Sequence, residues 1–374
     1  MAQTLFKGLS SYRRMNSKKI KLVVSDFHLG AGHRNLDGSL NILEDFFHDR
    51  EFIEFLEFYS SGFYDEAEVE LIINGDFFNL LQIDFEEIDA DVVTELTALR
   101  RMRRIMNGHR AVINAMRHFL SLPGKSIVMV MGNHDPGILF SSVQGLIREA
   151  IGESIRFYLE SYEFDGVYVE HGNQYDSANS FDRSQYFIRD GLPEPILNNP
   201  WGTLFLVHVV NPIKRVKPHF DKVLPFTLYL RWLVLFSPRF GFWTLGKIFK
   251  FLVSSRFRGD PRRKNMARQT FKMIVETPLF PDLDDAAEKI LLTRDDIHLV
   301  IFGHNHRPVF RQMGVGKEYI NTGTWNSMTH LEVDRMGSHL ICTFALIEYV
   351  GLKPQASLKV WKGRQRPTVE VDVA

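Results

Sequence analysis

Cysteine is nearly absent from this chain: Cys342 is the single one in 374 residues. A disulfide framework is therefore excluded, and a reducing compartment fits. Long apolar runs are absent too, since no stretch approaches the ~20 residues that cross a bilayer. The segment 1–21 carries basic residues but neither an apolar core nor a cleavage site, so it does not read as a signal peptide. The expectation is a cytoplasmic protein, peripheral on the inner membrane face at most. Internal repeats and low-complexity tracts are also missing. Net charge is zero, with 45 Lys+Arg against 45 Asp+Glu. That balance hides an asymmetry. Residues 195–272 hold 15 basic and two acidic residues, Asp221 and Asp260. A segment so basic points to an anionic partner.

What the chain does have is a series of strand-like apolar runs closed by polar, glycine-containing turns. Ile20–Ser25 ends at Asp26-Phe27-His28. Val69–Asn74 ends at Gly75-Asp76. Ser126–Met131 ends at Gly132-Asn133-His134-Asp135. Val167–Glu170 ends at His171-Gly172. His298–Phe302 ends at Gly303-His304-Asn305-His306. Each set of polar residues falls at a strand's C-terminal end, where the loops of layered α/β folds converge and sites form.

Between these runs the pattern is helical. Leu43 to Ser60 has helical apolar spacing. Asp91 to Leu120 reads as one long helix or two, with Gly108 a break. Asp284 to Leu292 is a short helix. The tail reads as antiparallel strands at 317–321, 338–349 and 357–362. The expected domains are an N-terminal tail (1–19), a core in two parts (20–192 and 273–374), and a helical insertion (193–272). The insertion mixes Trp201, Trp232 and Trp243 with many Phe, Leu and Lys/Arg residues, and prolines cut it into short pieces.

Taken singly, Asp-x-His or Gly-Asp is an ordinary turn. Gly-Asn-His-Asp and Gly-His-Asn-His are stronger, because such residues closing an apolar strand have no packing use. Together the pieces supply Asp26, His28, Asp76, Asn133, His171, His304 and His306. Carboxylate, imidazole and amide oxygen ligands suit a borderline divalent ion such as manganese, iron or zinc. Two such ions ~3.5–4 Å apart can clamp both oxygens of an in-line phosphoryl displacement. Asp76, central among the motifs, is the natural bridging carboxylate.

This set of motifs resembles the calcineurin-like metallophosphoesterase superfamily, over about residues 20–175 and 297–326. The resemblance implies an α/β (α+β) fold, a four-layer αββα sandwich, with a dinuclear centre. It implies Asp26, His28, Asp76 and His306 on one ion, and Asp76, Asn133, His171 and His304 on the other. It assigns catalysis to His134, with Asp135 orienting it. Gly75-Asp76 is followed by Phe77-Phe78-Asn79 and not by the Asp-Arg-Gly of the protein phosphatases. Asp-Phe-His-Leu-Gly, Gly-Asp-Phe-Phe and Asn321-Thr322-Gly323-Thr324-Trp325 look most like the UDP-2,3-diacylglucosamine hydrolases of lipid A biosynthesis. Those enzymes carry an Asp where this chain has Asn173, and their insertion is shorter.

The resulting expectation is a metal-dependent hydrolase of a phosphoester or pyrophosphate. Its substrate would be lipid-linked, most closely UDP-2,3-diacylglucosamine, giving UMP and 2,3-diacylglucosamine 1-phosphate. The insertion reads as a lid for an acyl chain, a membrane-facing segment, or helices packed on the core. Arg100, Arg101, Arg183 and Lys214 are candidate substrate contacts. A nuclease or nucleotide phosphodiesterase is the alternative enzyme, although nucleic acid suits the Leu/Phe/Val-rich insertion less well. A non-catalytic membrane or partner scaffold is the alternative from another class. The intact ligand set argues against it, and no protein partner is expected.

Overall fold

The structure is a computed structural model that describes residues 18–35, 37–83, 92–224, 226–257, 282–331, 337–365 and 368–370. Most of the expected N-terminal tail and the last part of the expected insertion, residues 258–272, lie outside the described residues.

Two sheets carry the fold. The first contains β1 (Lys19–Val24), β2 (Glu68–Asn74), β3 (Lys125–Val130) and β4 (Arg156–Tyr158). The second contains β5 (Ser161–Phe164), β6 (Val167–Glu170), β7 (Leu299–Phe302), β8 (Val309–Gln312) and β9 (Glu318–Asn321). The chain then returns to the first sheet with β10 (Thr343–Val350), β11 (Lys353–Trp361) and β12 (Thr368–Glu370). The first sheet runs β12-β11-β10-β1-β2-β3-β4, and the second β8-β9-β7-β6-β5. Strands β1 to β4 are parallel, as are β6, β7 and β9, while β10 pairs antiparallel with β1.

Alternation along each strand builds the layers, because successive side chains point to opposite faces. In β1, Val23 faces the second sheet while Leu22 and Val24 face helices. Ile72 and Val128 face inward on β2 and β3, with Leu71, Ile73, Ile127 and Met129 outward. In β7, Leu299 and Ile301 meet the first sheet, and Val300 and Phe302 face the far helix. The outer face of the first sheet is covered by α1 (Asp49–Phe58), α2 (Glu95–Gly108), α3 (Arg110–Ser121) and α4 (Ser141–Ile151). Later helices among the described residues include α5 (Phe226–Phe236), α6 (Pro238–Phe257) and α7 (Asp284–Thr293). Of these, α7 covers the second sheet through Ala287 and Leu291. Four layers result, helix, sheet, sheet, helix, as expected.

Three details differ from the sequence reading. The helix expected from Leu43 begins only at Asp49. Its first six residues are held open by other partners: Glu44 accepts from the backbone N–H of Gly30 and Gly32, and Asp45 pairs with Lys214. The strand expected over 338–349 is broken, with Gly337–His339 in a separate small sheet and β10 starting at Thr343. Segment 317–321 supplies β9, which lies parallel to β7.

The break at Gly108 is present. Thr94 and Thr97 cap α2 reciprocally, and the helix ends where Gly108 packs on Ala31 and Gly32. A Cβ at Gly108 would collide with the Ala31 carbonyl. Two helices thus form, pinned to the loop that follows His28.

Between β6 and α7 lies a helical segment with an apolar core of its own. Trp201–Phe205 is α-helical, Leu206–Val210 a π-turn, and Asn211–Lys214 α-helical again. These residues, α5 and α6 bury Trp201, Leu204, Val209, Ile213, Phe220, Leu233 and Phe251 together. No described helix is long and apolar enough to cross a membrane.

Candidate metal centre

Asp26 follows β1, Asp76 follows β2 and Asn133 follows β3. His171 follows β6, and His304 and His306 follow β7. Both sheets therefore deliver side chains to one seam at their C-terminal ends. The loops bend sharply there. Asp26, His28, Asp76, His304 and His306 all have positive φ, between 51° and 70°. Among the described residues Asp165 is the one other non-glycine residue with positive φ. Such backbone costs about 1–3 kcal/mol per residue, and it clusters where function over-determines it.

Two overlapping groups form. His306 Nε2 lies 3.3 Å from Asp26 Oδ1, and His28 Nε2 lies 3.8 Å from the same oxygen. His171 Nε2 lies 3.1 Å from Asp76 Oδ2, with His28 Nε2 at 3.9 Å from that oxygen. Candidate ligand atoms of Asp26, His28 and His306 lie within 4.8 Å of one another, as do those of Asp76, His171 and His304. His28 and Asp76 also group with His134. Asp76 sits between the two sets, in one group with His28 and His134 and in another with His171 and His304.

Backbone and neighbouring side chains fix each ligand. Asp26 Oδ2 accepts from His304 N–H at 3.0 Å and from the Ser25 hydroxyl, while Thr324 and Asn326 donate to the Asp26 carbonyl. Asp76 Oδ1 accepts from His134 N–H at 2.7 Å. His171 Nδ1 donates to the Asn74 carbonyl at 2.8 Å, which directs Nε2 into the centre. His304 Nε2 meets Asp176 Oδ2 at 3.1 Å, leaving Nδ1 as its inward nitrogen. Glycine is required at two points of closest approach. A Cβ at Gly132 would strike the Asp76 carboxylate, and one at Gly303 would strike Asp26.

The residues fit a pair of cations. Asp26 Oδ1, Asn133 Oδ1, His171 Nε2 and His304 Nδ1 are buried and have no hydrogen-bond partner, and buried polar atoms are rarely left so. Two imidazole nitrogens, His28 Nε2 and His306 Nε2, approach to 3.0 Å, so both rings present Nε2 to the same space. Burial opposes charge on His171, yet Asp76 and Asp26 push it up to about 10. Burial and then His134 push His28 down to about 3. Burial also opposes charge on Asp26 and Asp76, but His171 above all holds both below the usual carboxylate range. The two carboxylates favour positive charge in the centre, and the Asn133 amide oxygen and the neutral imidazole of His28 stand beside them.

Asn79 emerges as the partner of His134, with Oδ1 accepting from Nδ1 at 3.2 Å. This corrects the role expected of Asp135. Its carboxylate accepts from Gly132 N–H at 2.7 Å and Phe77 N–H at 3.1 Å, so it ties two loops together and does not orient the imidazole. Burial and the nearby Asp76 push the Asp135 carboxyl up to about 7.

A cavity of about 190 Å³ opens beside these residues. Its lining includes Asp76, Asn133, His134, His304 and His306, and also Trp201, Phe205, Leu206, Val210, Phe220 and Phe226. None of the four expected substrate contacts lines it. Lys214 is wholly buried, bound to Asp45 at 2.8 Å and Asp221 at 2.9 Å, so its expected contact with substrate is corrected to a structural pair. Arg101 turns into the core of α2 and donates to the Leu80 carbonyl, while Arg100 stays exposed. Arg183 pairs with Glu170 at 2.6 Å, the residue before His171. The sequence reading missed Asp176 and Asn79. Asn79 carries a legible cue, a polar residue three positions after Asp76 on the same loop.

No curated protein matches the chain. Among solved structures, the crystal structure of a dimetal phosphatase from Danio rerio is similar at 12% identity and a TM-score of 0.35, covering 92% of this chain and 95% of that chain. That likeness is too slight to carry an argument. The model of the calcineurin-like phosphoesterase family matches residues 21–233, which include Asp26, His28, Asp76, Asn133, His134 and His171. The chain belongs to the calcineurin-like phosphoesterase family, and it is a metal-dependent phosphoester hydrolase.

Proposed function

We propose that this enzyme cleaves a phosphoester or pyrophosphate bond in a substrate with a lipid-like half, and that UDP-2,3-diacylglucosamine is that substrate. The products would be UMP and 2,3-diacylglucosamine 1-phosphate. The observation that carries the reading is the cavity. Six aromatic and aliphatic residues of the 201–226 segment line it together with candidate metal ligands. An apolar chain entering such a space gains about 0.8 kcal/mol for each methylene buried. In this reading 193–272 is a substrate lid on a core made of 20–192 and 273–374.

In the proposed centre Asp26, His28, Asp76 and His306 would hold one divalent ion, and Asp76, Asn133, His171 and His304 the other, with manganese the first choice. Bound there, the ions would supply a hydroxide nucleophile at neutral pH and neutralise charge on the phosphoryl oxygens. His134 would act on the leaving oxygen. Burial holds its pKa low in the free enzyme, and an arriving phosphate favours the imidazolium. Asn79 then keeps Nδ1, and Nε2 donates to the developing negative charge.

A membrane surface is the proposed source of this substrate. Leu235, Phe236, Phe242 and Phe249 on α5 and α6 are between 64% and 76% exposed. Arg231, Arg239 and Lys250 are exposed on the same helices. Aromatic and basic residues together suit an anionic interface, each basic residue adding ~1 kcal/mol near the surface.

The test is metal-dependent release of UMP from UDP-2,3-diacylglucosamine in mixed micelles. Bis-p-nitrophenyl phosphate and single-stranded DNA serve as comparison substrates. The expected result is a higher kcat/KM on the lipid. Turnover of the soluble diester or of DNA with none of the lipid would overturn the substrate and leave the phosphoesterase. Pure, folded protein inert on every phosphoester after Mn²⁺ addition would overturn the catalytic reading itself.

A further inference from the structure

Three metal-ligating side chains meet outside the candidate centre. Candidate ligand atoms of His33, Asp49 and His109 lie within 4.8 Å of one another. His33 belongs to the loop after His28, Asp49 opens α1, and His109 is the residue between α2 and α3. The Asp49 carboxylate reaches both rings. Its Oδ1 is 2.7 Å from His109 Nδ1, and its Oδ2 is 3.0 Å from His33 Nε2. The two rings meet edge to face, with centroids 5.7 Å apart.

Hydrogen bonds account for only part of this group. His109 Nδ1 and Asp49 Oδ1 bond each other, and His33 Nε2 also meets the Phe46 carbonyl at 3.1 Å. Asp49 Oδ2 is buried and makes no hydrogen bond. His109 is 1% exposed, and its Nε2 makes none either, 3.3 Å from Glu44 Oε2. Glu44 is itself fixed, since it accepts from Gly30 N–H at 2.9 Å and Gly32 N–H at 2.6 Å. A carboxylate at the far nitrogen is what orients a ligating imidazole: with Nδ1 on a cation, Nε2–H would donate to Glu44. The His33 side chain is 42% exposed, so a cation can enter from solvent as that ring gives way.

We propose that His33, Asp49 and His109 bind a zinc ion, in addition to the ions of the candidate dinuclear centre. Two imidazoles and one carboxylate, with water in the fourth position, make a tetrahedral zinc set. Ligands of this kind hold zinc more tightly than manganese, so Mn²⁺ fills the dinuclear centre in preference to this site. The role of the ion is structural, since none of its three ligands lines the cavity. It ties the loop that follows His28 to α1 and to the junction of α2 and α3, where Gly108 and Glu44 already hold that loop.

The experiment strips the full chain with a chelator, loads it with Zn²⁺, removes the excess by gel filtration and counts zinc by elemental analysis. The unmodified chain should retain one more zinc than His33→Gln. His33→Cys, whose thiolate also binds zinc, should restore that ion. His48→Gln, at a neighbouring histidine outside the group, should leave the count unchanged. The same difference of one zinc should separate the Asp26→Asn, His304→Ala double variant from the triple variant that adds His33→Gln, so the result does not depend on the dinuclear centre. In that background Zn²⁺ should raise the thermal unfolding midpoint by a few degrees only where His33 is present, because a ligand of the folded state stabilises it. Equal zinc counts with and without His33 would overturn the proposal. So would a count that falls as far in His48→Gln as in His33→Gln, which would mean an adventitious ion only.

Discussion

Asp176 is the most direct test of how this centre is held. Its Oδ2 lies 3.1 Å from His304 Nε2, and the residue is 3% exposed. The same carboxylate accepts from Ala178 N–H at 2.9 Å and Asn179 Nδ2 at 2.7 Å. It thus fixes the ring so that Nδ1 points inward, and its charge strengthens the ring as a donor to a cation. Losing such a partner typically weakens metal binding about 10–100-fold, or roughly 1.4–2.7 kcal/mol. Asp176→Asn keeps an acceptor oxygen but no charge and should fall near the lower end. Asp176→Ala also strands the Ala178 N–H and should fall near the upper end. Titration calorimetry with Mn²⁺ should show the weaker of the two binding events weakened further. Activity on bis-p-nitrophenyl phosphate should recover substantially at saturating Mn²⁺, because no group contacting the phosphate is removed. Two folded variants with unchanged Mn²⁺ affinity would refute the reasoning, and so would a loss of kcat that saturating metal does not relieve.

Other expectations follow from packing and charge. Gly132→Ala should abolish Mn²⁺ binding by elemental analysis, since its Cβ would strike Asp76, whereas Gly145→Ala, with open space around it on α4, should be neutral or stabilising by about 0.5–1 kcal/mol in urea. Lys214→Met should cost about 3–5 kcal/mol by denaturant titration, because Asp221 would lose its cation and Asp45 would keep only Lys222. His109 stands 2.7 Å from Asp49 and 3.3 Å from Glu44; burial opposes its charge, but these carboxylates raise it from 6.5 to about 9. Since the folded-state value is the higher one, roughly 3 kcal/mol of stability should be fully present below pH 6.5 and be lost as pH rises through about 9. Unfolding midpoints that show no such decline between pH 6 and 9.5, or a decline that persists in His109→Gln, would show that this bridge does not contribute.

The five strand ends were legible because two signals coincide there. An apolar run requires a buried strand, and the polar, glycine-bearing residues that stop it have no packing use. The roles of their partners were less legible. Asp135 is adjacent to His134 in sequence, yet at the end of β3 the backbone turns it toward Gly132 and Phe77, and the imidazole is met by Asn79 from a loop 55 residues away. Asp176 finds His304 across 128 residues, a contact that no local pattern encodes. Arg101 was misread as a substrate contact, although its spacing carried a cue. It shares a helical face with Ala98, Met102 and Ile105, all buried, and a helix places residues three and four apart on one side. Its neighbour Arg100 falls on the other side. The start of α1 was misread because apolar spacing persists through Phe46 and Phe47, while Glu44 and Asp45 are occupied by long-range partners that outweigh a helical turn.

The position of the centre has a mechanical consequence. Each ion of the dinuclear centre would take ligands from both sheets, Asp26 and Asp76 from the first, His171, His304 and His306 from the second. At the opposite end of the seam, Lys21 on β1 and Glu70 on β2 bond each other, and Tyr162 on β5 donates to Glu70 at 3.2 Å. Between these ends Val23, Ile72, Val128, Val169 and Ile301 make the seam apolar. One end is thus closed by hydrogen bonds and an ion pair already satisfied within the protein. The other end gathers carboxylates and imidazoles on positive-φ backbone, with orphaned atoms and like groups facing one another. Strain of about 1–3 kcal/mol per residue falls at five positions there. The inter-sheet core and the hydrogen bonds to Asp26 and Asp76 hold the ligands in place beforehand, so that cation binding need only supply the missing charge. This explains why glycines and the buried Ser25, Thr324 and Asn326 surround the centre.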